Sequence, residues 1–257
     1  MKRIHLFEFE DQRWFPVLLR NYMTDFLQFL ANKAKVYAPV IDEIHTSMEE
    51  SKCNQIIDLG SGSGGGLLWL SSQLKEKNPN LSITLTDYYP NLVSFAHVKE
   101  INPLFEYITE SVDAKNVPTH LSGFRTQFLS FHHFKPNDAT QILQNAVNTS
   151  QPIGIFEIQD RSLPSILAML LSPISVLLTA PFITPFRFGR IVFTYLIPIL
   201  PVVVLWDGIV SSLRTYSVSE LRSLVENVKN QDTFHWKIEK KRSKKGFVIY
   251  LIGIPKS

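Results

Sequence analysis

A glycine-rich turn between an apolar strand and a helix constrains this chain more than any other feature. Residues 54–59 are predicted to form a buried strand, and residues 67–77 have helical character. Between them, positions 60–66 read Gly-Ser-Gly-Ser-Gly-Gly-Gly. Glycines let the backbone approach a bound molecule, and a helix N-terminus presents free amide groups to it. The turn therefore predicts a ligand site where the first strand ends.

The remaining elements alternate along the chain. Helices are predicted at 13–37 and 39–50, and later at 67–77, from Pro90, and at 136–148. Strands are predicted at 54–59, 81–86, 104–108, 125–131 and 153–158, and a helix capped by Ser217 and Glu220 precedes two final strands at 234–242 and 247–254. Such alternation is typical of a parallel sheet covered on both faces.

The fold class that follows is α/β: a Rossmann-like, doubly wound, mostly parallel seven-stranded sheet. A terminal antiparallel hairpin, turning through Lys244, Lys245 and Gly246, N-terminal helices and an apolar helical insertion complete it. We expect a helical cap over residues 1–53, an α/β core over 54–160, the insertion over 161–215, and the rest of the core over 216–257.

Three carboxylates follow the glycine turn in a defined order. Asp58 precedes the first glycine by two residues, where it would attract an ammonium group and repel a pyrophosphate. Asp87 ends the second strand, where a carboxylate accepts hydrogen bonds from ribose hydroxyls, and Asp113 follows the third strand, where an adenine amino group would lie. The turn alone also satisfies the G-x-G-x-x-G pattern of dinucleotide sites.

This series resembles the motifs of class I S-adenosylmethionine-dependent methyltransferases: D-x-G-x-G-x-G, then an acidic residue ending strand two and another after strand three. The resemblance covers residues 54–160 and 215–254. It implies S-adenosylmethionine as the cofactor, and the apolar residues 162–206 add a lipophilic small-molecule or lipid acceptor as a hypothesis. The predicted cofactor-binding residues are Asp58, Gly60, Ser61, Gly62, Gly64, Asp87, Tyr88 and Asp113.

Catalytic candidates lie where the fourth and fifth strands end. They are His132, His133 and Asp160. Methyl transfer depends mainly on holding the acceptor in line, and a general base is needed only for a hydroxyl or protonated amine. In an extended segment the two histidines would point to opposite sides, so one of them would face the site. Both histidines being structural is the alternative, and no metal-ligand spacing is present.

Residues 162–206 are the second informative stretch. No charged residue lies between Arg161 and Arg187, and positions 191–206 are again uncharged. Arg187 and Arg190 would lie on the wrong side of a bilayer for a full crossing. We therefore expect an interfacial or re-entrant hairpin that also forms a lid, with Phe182, Phe186, Arg187, Phe188 and Arg190 near lipid headgroups. A buried helical cap is the alternative.

Composition narrows the function classes further. A net charge of +3 and an apolar insertion do not favour a nucleic-acid substrate. The single cysteine, Cys53, excludes an intrachain disulfide, and the first residues lack an apolar leader. We expect a cytoplasmic protein, associated with the cytoplasmic face of a membrane. Two other hypotheses stay open: an NAD-dependent oxidoreductase, and a non-catalytic, membrane-associated nucleotide-binding module. The acceptor, the atom methylated and the oligomeric state also stay open.

Overall fold

The computed structural model describes residues 2–243 and 246–256. Its centre is a seven-stranded sheet in the order β3-β2-β1-β4-β5-β7-β6. The strands are β1 Gln55–Leu59, β2 Ser82–Thr86, β3 Phe105–Tyr107, β4 Phe124–Phe128, β5 Ile153–Glu157, β6 Phe234–Ser243 and β7 Gly246–Pro255. The first five are parallel, whereas β7 runs antiparallel to both β5 and β6. The predicted fold class is confirmed, and Lys244 and Lys245 of the predicted hairpin turn lie outside the described residues.

Helices cover both faces of the sheet. They are α1 Val17–Ala34, α2 Ile41–Glu50, α3 Leu67–Lys77, α4 Leu92–Ile101, α5 Pro136–Asn148, α6 Leu163–Leu170, α7 Ser172–Thr179, α8 Phe188–Ile191, α9 Ile199–Arg214 and α10 Val218–Glu226. One apolar cluster joins the sheet to α5 and α10, and a second joins it to α2, α3 and α4. β4 and β5 are buried along their whole length, as expected of parallel strands covered on both sides.

Two element boundaries differ from the sequence prediction for local reasons. β4 ends at Phe128 instead of residue 131, because Leu129 takes a left-handed conformation (φ 53°) and residues 131–133 then form a 3₁₀ turn. α4 begins at Leu92, and Pro90 lies outside its first turn. Asn91 caps this helix instead, since its side-chain oxygen accepts a hydrogen bond from the backbone N–H of Ser94.

Helix α1 has two buried faces of opposite character. Its apolar face packs with α7 and α9 in a third cluster, which contains Phe15, Tyr22 and Phe26. Its polar face, which includes Thr24, turns towards the glycine turn. Trp14, which precedes the helix, is exposed. α1 therefore lies between the insertion and the sheet edge.

The insertion, α6 to α9, is a helical hairpin with an uncovered apolar side. Within the described residues, Leu163–Phe182 forms a 20-residue helical stretch of mean hydropathy 2.0 of which only 11% is buried, and Phe188–Leu196 with Ile199–Arg214 forms a second stretch bent by 83°. The buried cap considered from the sequence is therefore not observed on this side. One expectation is corrected: Arg190 is 1% exposed and forms an ion pair with Asp25, so burial keeps it from lipid headgroups.

A substitution at Leu251 measures how much the antiparallel strand β7 contributes to the free energy of unfolding. Leu251 is fully buried opposite Ile155 of β5, so Leu251→Ala should lower the free energy of unfolding by about 2–5 kcal/mol. The matched control is Leu178→Ala, at a side chain that is 68% exposed, and it should change that free energy by less than about 0.5 kcal/mol. Urea denaturation monitored by circular dichroism measures both. Equal losses would contradict the assigned core.

Candidate active site

A cavity of about 370 Å³ opens where β1, β2 and β4 end. Its size falls within the range of small-molecule sites, about 300–1,000 Å³. Seven of the residues predicted from the sequence line it: Gly60, Ser61, Gly62, Asp87, Tyr88, Asp113 and His133. Residues of α1 and of the N-terminal segment (residues 3–12) form the opposite wall. The carboxyl edge of the sheet thus brings together most of the predicted site.

The glycine turn takes a conformation that requires glycine. Gly60 and Gly62 have φ angles of 72° and 58°, which L-residues with a side chain seldom adopt. A Cβ at Gly62 would lie 3.3 Å from the methyl carbon of Thr24, so α1 packs closely against the turn. Because neither glycine carries a side chain, a ligand in the cavity can approach the backbone of the turn closely.

Asp87 connects the glycine turn to the end of β2. Its Oδ2 accepts a hydrogen bond from the Gly62 N–H at 2.7 Å, and its Oδ1 accepts one from the Tyr89 N–H at 2.7 Å. Burial raises the pKa of Asp87 despite these bonds. Each carboxylate oxygen keeps a further lone pair, so this group can also accept hydrogen bonds from hydroxyls in the cavity.

Asp58 and Gly64 support the turn from behind and are not among the residues lining the cavity. Asp58 Oδ1 accepts a hydrogen bond from the Thr126 hydroxyl at 2.8 Å. Burial, reinforced by the charge of Asp87, raises the pKa of Asp58 to about 7. A Cβ at Gly64 would lie 3.2 Å from the side chain of Val98. Direct contact of Asp58 or Gly64 with a cofactor stays a prediction.

Gln127 is a cavity residue that the sequence interpretation did not single out. It is fully buried in β4 and lines the cavity, yet neither atom of its amide has a hydrogen-bond partner in the described structure. A buried amide without partners is unfavourable unless a ligand or water satisfies it. Three consecutive polar residues, 125–127, inside a buried strand were the available indication.

The two histidines lie on one 3₁₀ turn, with ring centres 4.3 Å apart. His132 is buried: its Nδ1 lies 3.0 Å from Glu157 Oε2, and its Nε2 has no hydrogen-bond partner. Because a carboxylate only accepts, Nδ1 carries the proton that it shares with Glu157, and Nε2 lies 3.9 Å from Glu8 Oε1. The segment is a 3₁₀ turn and not extended, so both rings lie near Glu8 on one side, but His133 lines the cavity and His132 does not.

His133 lines the cavity as part of an ionic cluster with the N-terminal segment. Its Nδ1 lies 2.7 Å from Glu8 Oε2 and 2.9 Å from Asp11 Oδ1. Burial alone would lower the pKa of His133, but these two carboxylates raise it well above its ordinary value. Arg214 pairs with both carboxylates. His133 is therefore an imidazolium at neutral pH, and its counter-charges come from residues more than 120 positions away, which no local pattern reveals.

One atom from each of Glu8, His132 and His133 lies within 4.8 Å of the others, a spacing that metal ligands also show. In this structure Glu8 and His133 already pair with each other, and Arg214 adds a second cation on Glu8. The cluster is thus balanced in charge by protein groups. Asp160 lies apart from the cavity, where its carboxylate accepts from Ser162 and pairs with Lys240 at 2.5 Å.

The strand order, the antiparallel β7 and the glycine turn beside Asp87 together define the class I methyltransferase fold. Solved structures agree with this. The plantazolicin methyltransferase BpumL in complex with SAH matches with a TM-score of 0.56 at 12% identity, covering 93% of this chain and 96% of that one. "PigF with SAH" matches with a TM-score of 0.52 at 18% identity, covering 95% and 63%.

Human N-acetylserotonin methyltransferase in complex with SAM matches with a TM-score of 0.50 at 12% identity, covering 90% of this chain and 56% of that one. The chain therefore spans less than two thirds of the length of this protein and of PigF. No family model matches the sequence. No curated protein matches it either. At these identities the likeness establishes the fold.

The raised pKa of Asp58 predicts a pH-dependent stability. Between pH 4 and pH 7 the folded state holds a proton on this carboxyl group that the unfolded state releases, so stability falls as pH rises through this window. Asp58→Asn, which keeps an oxygen for Thr126, should remove a slope of at most about 1.4 kcal/mol per pH unit. Denaturation at several pH values measures it, with the exposed Asp42→Asn as control. An unchanged slope in Asp58→Asn would refute the assignment.

Proposed function

We propose that this chain is an S-adenosylmethionine-dependent methyltransferase that modifies a small lipophilic acceptor at a membrane surface. One observation carries the proposal: the cavity combines a glycine turn, the Asp87 carboxylate and the unpartnered amide of Gln127. The first two groups suit a nucleoside with hydroxyls, and the third suits a polar amino-acid end. The likeness to methyltransferases solved with SAM or SAH supports the same cofactor.

The cavity residues fit this cofactor. Asp87 would accept hydrogen bonds from its ribose hydroxyls, and Asp113, between Val112 and Ala114, would receive the adenine amino group in a partly apolar setting. Gln127 would satisfy its amide on the methionine end. When bound, the cofactor supplies a methyl group already activated by a sulfonium.

The charges around the cavity favour this cofactor over a dinucleotide. Beside the glycine turn, where a dinucleotide places its pyrophosphate, lies the Asp87 carboxylate, whose Oδ2 accepts a hydrogen bond from the Gly62 N–H. A pyrophosphate would add two negative charges to this surface, whereas a sulfonium and an ammonium add positive ones. The oxidoreductase hypothesis is therefore less consistent with the site than methyl transfer.

His132 is the group best suited to act as a general base if the acceptor is a hydroxyl. Its Nε2 has no hydrogen-bond partner among the described residues, and Glu157, 3.0 Å from Nδ1, orients the ring and would stabilise an imidazolium formed by proton uptake. Nε2 would take the proton that the hydroxyl releases as its oxygen is methylated. His133, as an imidazolium, would not serve as the base. The acceptor reaches Nε2 only if the N-terminal segment that covers His132 moves aside.

The exposed apolar side of the insertion supports a lipophilic acceptor. Its exposed side is apolar and uncharged, and its first stretch has the length of a bilayer span. Trp14, which precedes α1, and Trp206 of α9 are exposed, and exposed tryptophans are common at membrane interfaces. Soluble monomers rarely expose an apolar surface of this extent. A phospholipid surface is therefore the proposed occupant. The methyltransferases for plantazolicin and N-acetylserotonin are precedents for small-molecule acceptors.

Cofactor binding is the direct test. Calorimetric titration with S-adenosylhomocysteine should show saturable binding, and Asp87→Ala should weaken it more than about tenfold because charge-assisted hydrogen bonds to hydroxyls are lost. Asp42→Ala, at an exposed carboxylate, is the control. Binding to NAD alone, or no binding to folded protein, would end the methyltransferase proposal. Binding without turnover across hydroxyl, amine and thiol acceptors would favour a non-catalytic module.

Membrane docking has a separate test. Flotation with phosphatidylcholine vesicles should recover the protein with lipid, and Phe182→Ser combined with Phe188→Ser should reduce this partition at least about tenfold, because two exposed aromatic side chains lose their apolar contact. Val93→Ser with Ile101→Ser, at exposed apolar positions of α4, is the matched control. Absence of partition in the unmodified protein, or an equal loss in the control, would exclude lipid docking through the insertion.

A further inference from the structure

Asp25 of α1 lies where three parts of the molecule meet. It is buried between the glycine turn, the start of α4 and the insertion, and it does not line the cavity. Its carboxylate is surrounded by five donor groups: Ser63, Asn91, Ser94, Arg187 and Arg190. No step of the proposed reaction uses it.

The two oxygens of this carboxylate serve different sides. Oδ1 accepts hydrogen bonds from the hydroxyls of Ser63 at 2.9 Å and Ser94 at 2.6 Å. Oδ2 pairs with Arg190 Nη1 at 3.0 Å and with Arg187 Nε at 3.2 Å. One carboxylate therefore joins the glycine turn to the insertion.

On the insertion side, Arg190 also holds the segment that links α7 to α8. Its Nη2 donates to the carbonyl oxygens of Ile183 at 2.5 Å and Pro185 at 2.8 Å. Arg187 Nη2 donates to Ser94 Oγ at 3.2 Å, which ties the same segment to α4. The position of residues 183–190 is thus set by charged groups that meet at Asp25.

On the cofactor side, Ser63 belongs to the glycine turn and lines the cavity. Its hydroxyl lies 2.7 Å from Thr24 Oγ1 and receives a hydrogen bond from Asn91 Nδ2 at 2.8 Å. Thr24 and Asn91 line the cavity too. A change in the position of Asp25 would therefore reach the cavity wall directly, through Ser63 at 2.9 Å and through Asn91 at 3.4 Å.

We propose that Asp25 is a positioning residue that couples the apolar insertion to the cofactor turn. This inference rests on the proposed function and adds a regulatory link to the same site: cofactor binding in the cavity orders residues 183–197. Cofactor binding should therefore strengthen docking of the insertion on a phospholipid surface. By thermodynamic reciprocity, docking should strengthen cofactor binding by the same factor. The energy of the link resides in buried charge pairs, which break at high cost in a dry interior.

Amide hydrogen exchange with and without S-adenosylhomocysteine tests the link. In the unmodified protein, ligand binding should slow exchange in residues 183–197 about fivefold, although this segment does not line the cavity. Asp25→Asn should abolish that slowing. Asp25→Asn also leaves the buried Arg190 and the partly buried Arg187 without a counter-charge. Ser63→Ala is therefore the second variant: it removes the shorter of the two hydrogen bonds between Asp25 and the cavity wall and keeps both arginine pairs.

Ser63→Ala should bind S-adenosylhomocysteine about fivefold more weakly and lose the slowing in residues 183–197. Ser72→Ala, at an exposed serine of α3, should match the unmodified protein. Tight binding to the unmodified protein without slowing in residues 183–197, or slowing in Ser63→Ala as large as in the unmodified protein, would overturn the coupling while leaving the methyltransferase proposal intact. No binding to the unmodified protein would instead contradict the proposed function itself.

Discussion

The burial of α1 between two unlike surfaces is the constraint on which the rest of the arrangement depends. An apolar face alone would give an ordinary surface helix, with its other side in water. Here the other side meets the glycine turn, where Asn32 donates to the Gly65 carbonyl and accepts from the Trp69 N–H that opens α3. The helix therefore fixes the turn, the start of α3 and the position of the insertion together.

Buried charges are concentrated around this arrangement. The Glu8, His133 and Arg214 cluster and the Asp25 and Arg190 pair are all removed from most solvent. Such pairs add little net stability compared with apolar residues of the same size, but removing one partner costs about 3–5 kcal/mol. Their presence is better explained by the orientation they impose than by stability. They hold the N-terminal segment over His132 and the insertion against α1.

The sheet and its ligand edge were predictable because their determinants are local. Strand runs, the glycine turn and Asp87 lie within short stretches of sequence, and each was placed correctly to within a few residues. The contacts that build the remaining site are not local. Glu8 meets His133, and Asp25 meets Arg190, across long separations in the chain. A carboxylate in an acidic run, or between Tyr22 and Phe26 on a helix, has the same local sequence whether it is solvated or paired.

Similar reasoning explains the histidines. An extended chain would separate His132 from His133, but the left-handed residue Leu129 ends β4 early and the following turn brings both rings to one side. The residue types before position 129 do not predict that β4 ends there. Gln127 was detectable in principle, since a polar residue within a fully buried strand requires a partner.

The position of β7 has a consequence for the order in which the molecule is made. This strand is the last of the seven in sequence, yet it pairs between β5 and β6. During synthesis the apolar insertion emerges from the ribosome before β7, while the edge of β5 is still open. During that interval the nascent chain exposes an unpaired strand edge beside a long apolar hairpin. This combination favours aggregation. A lipid surface or a chaperone that covers the hairpin during translation would protect the incomplete sheet from aggregation.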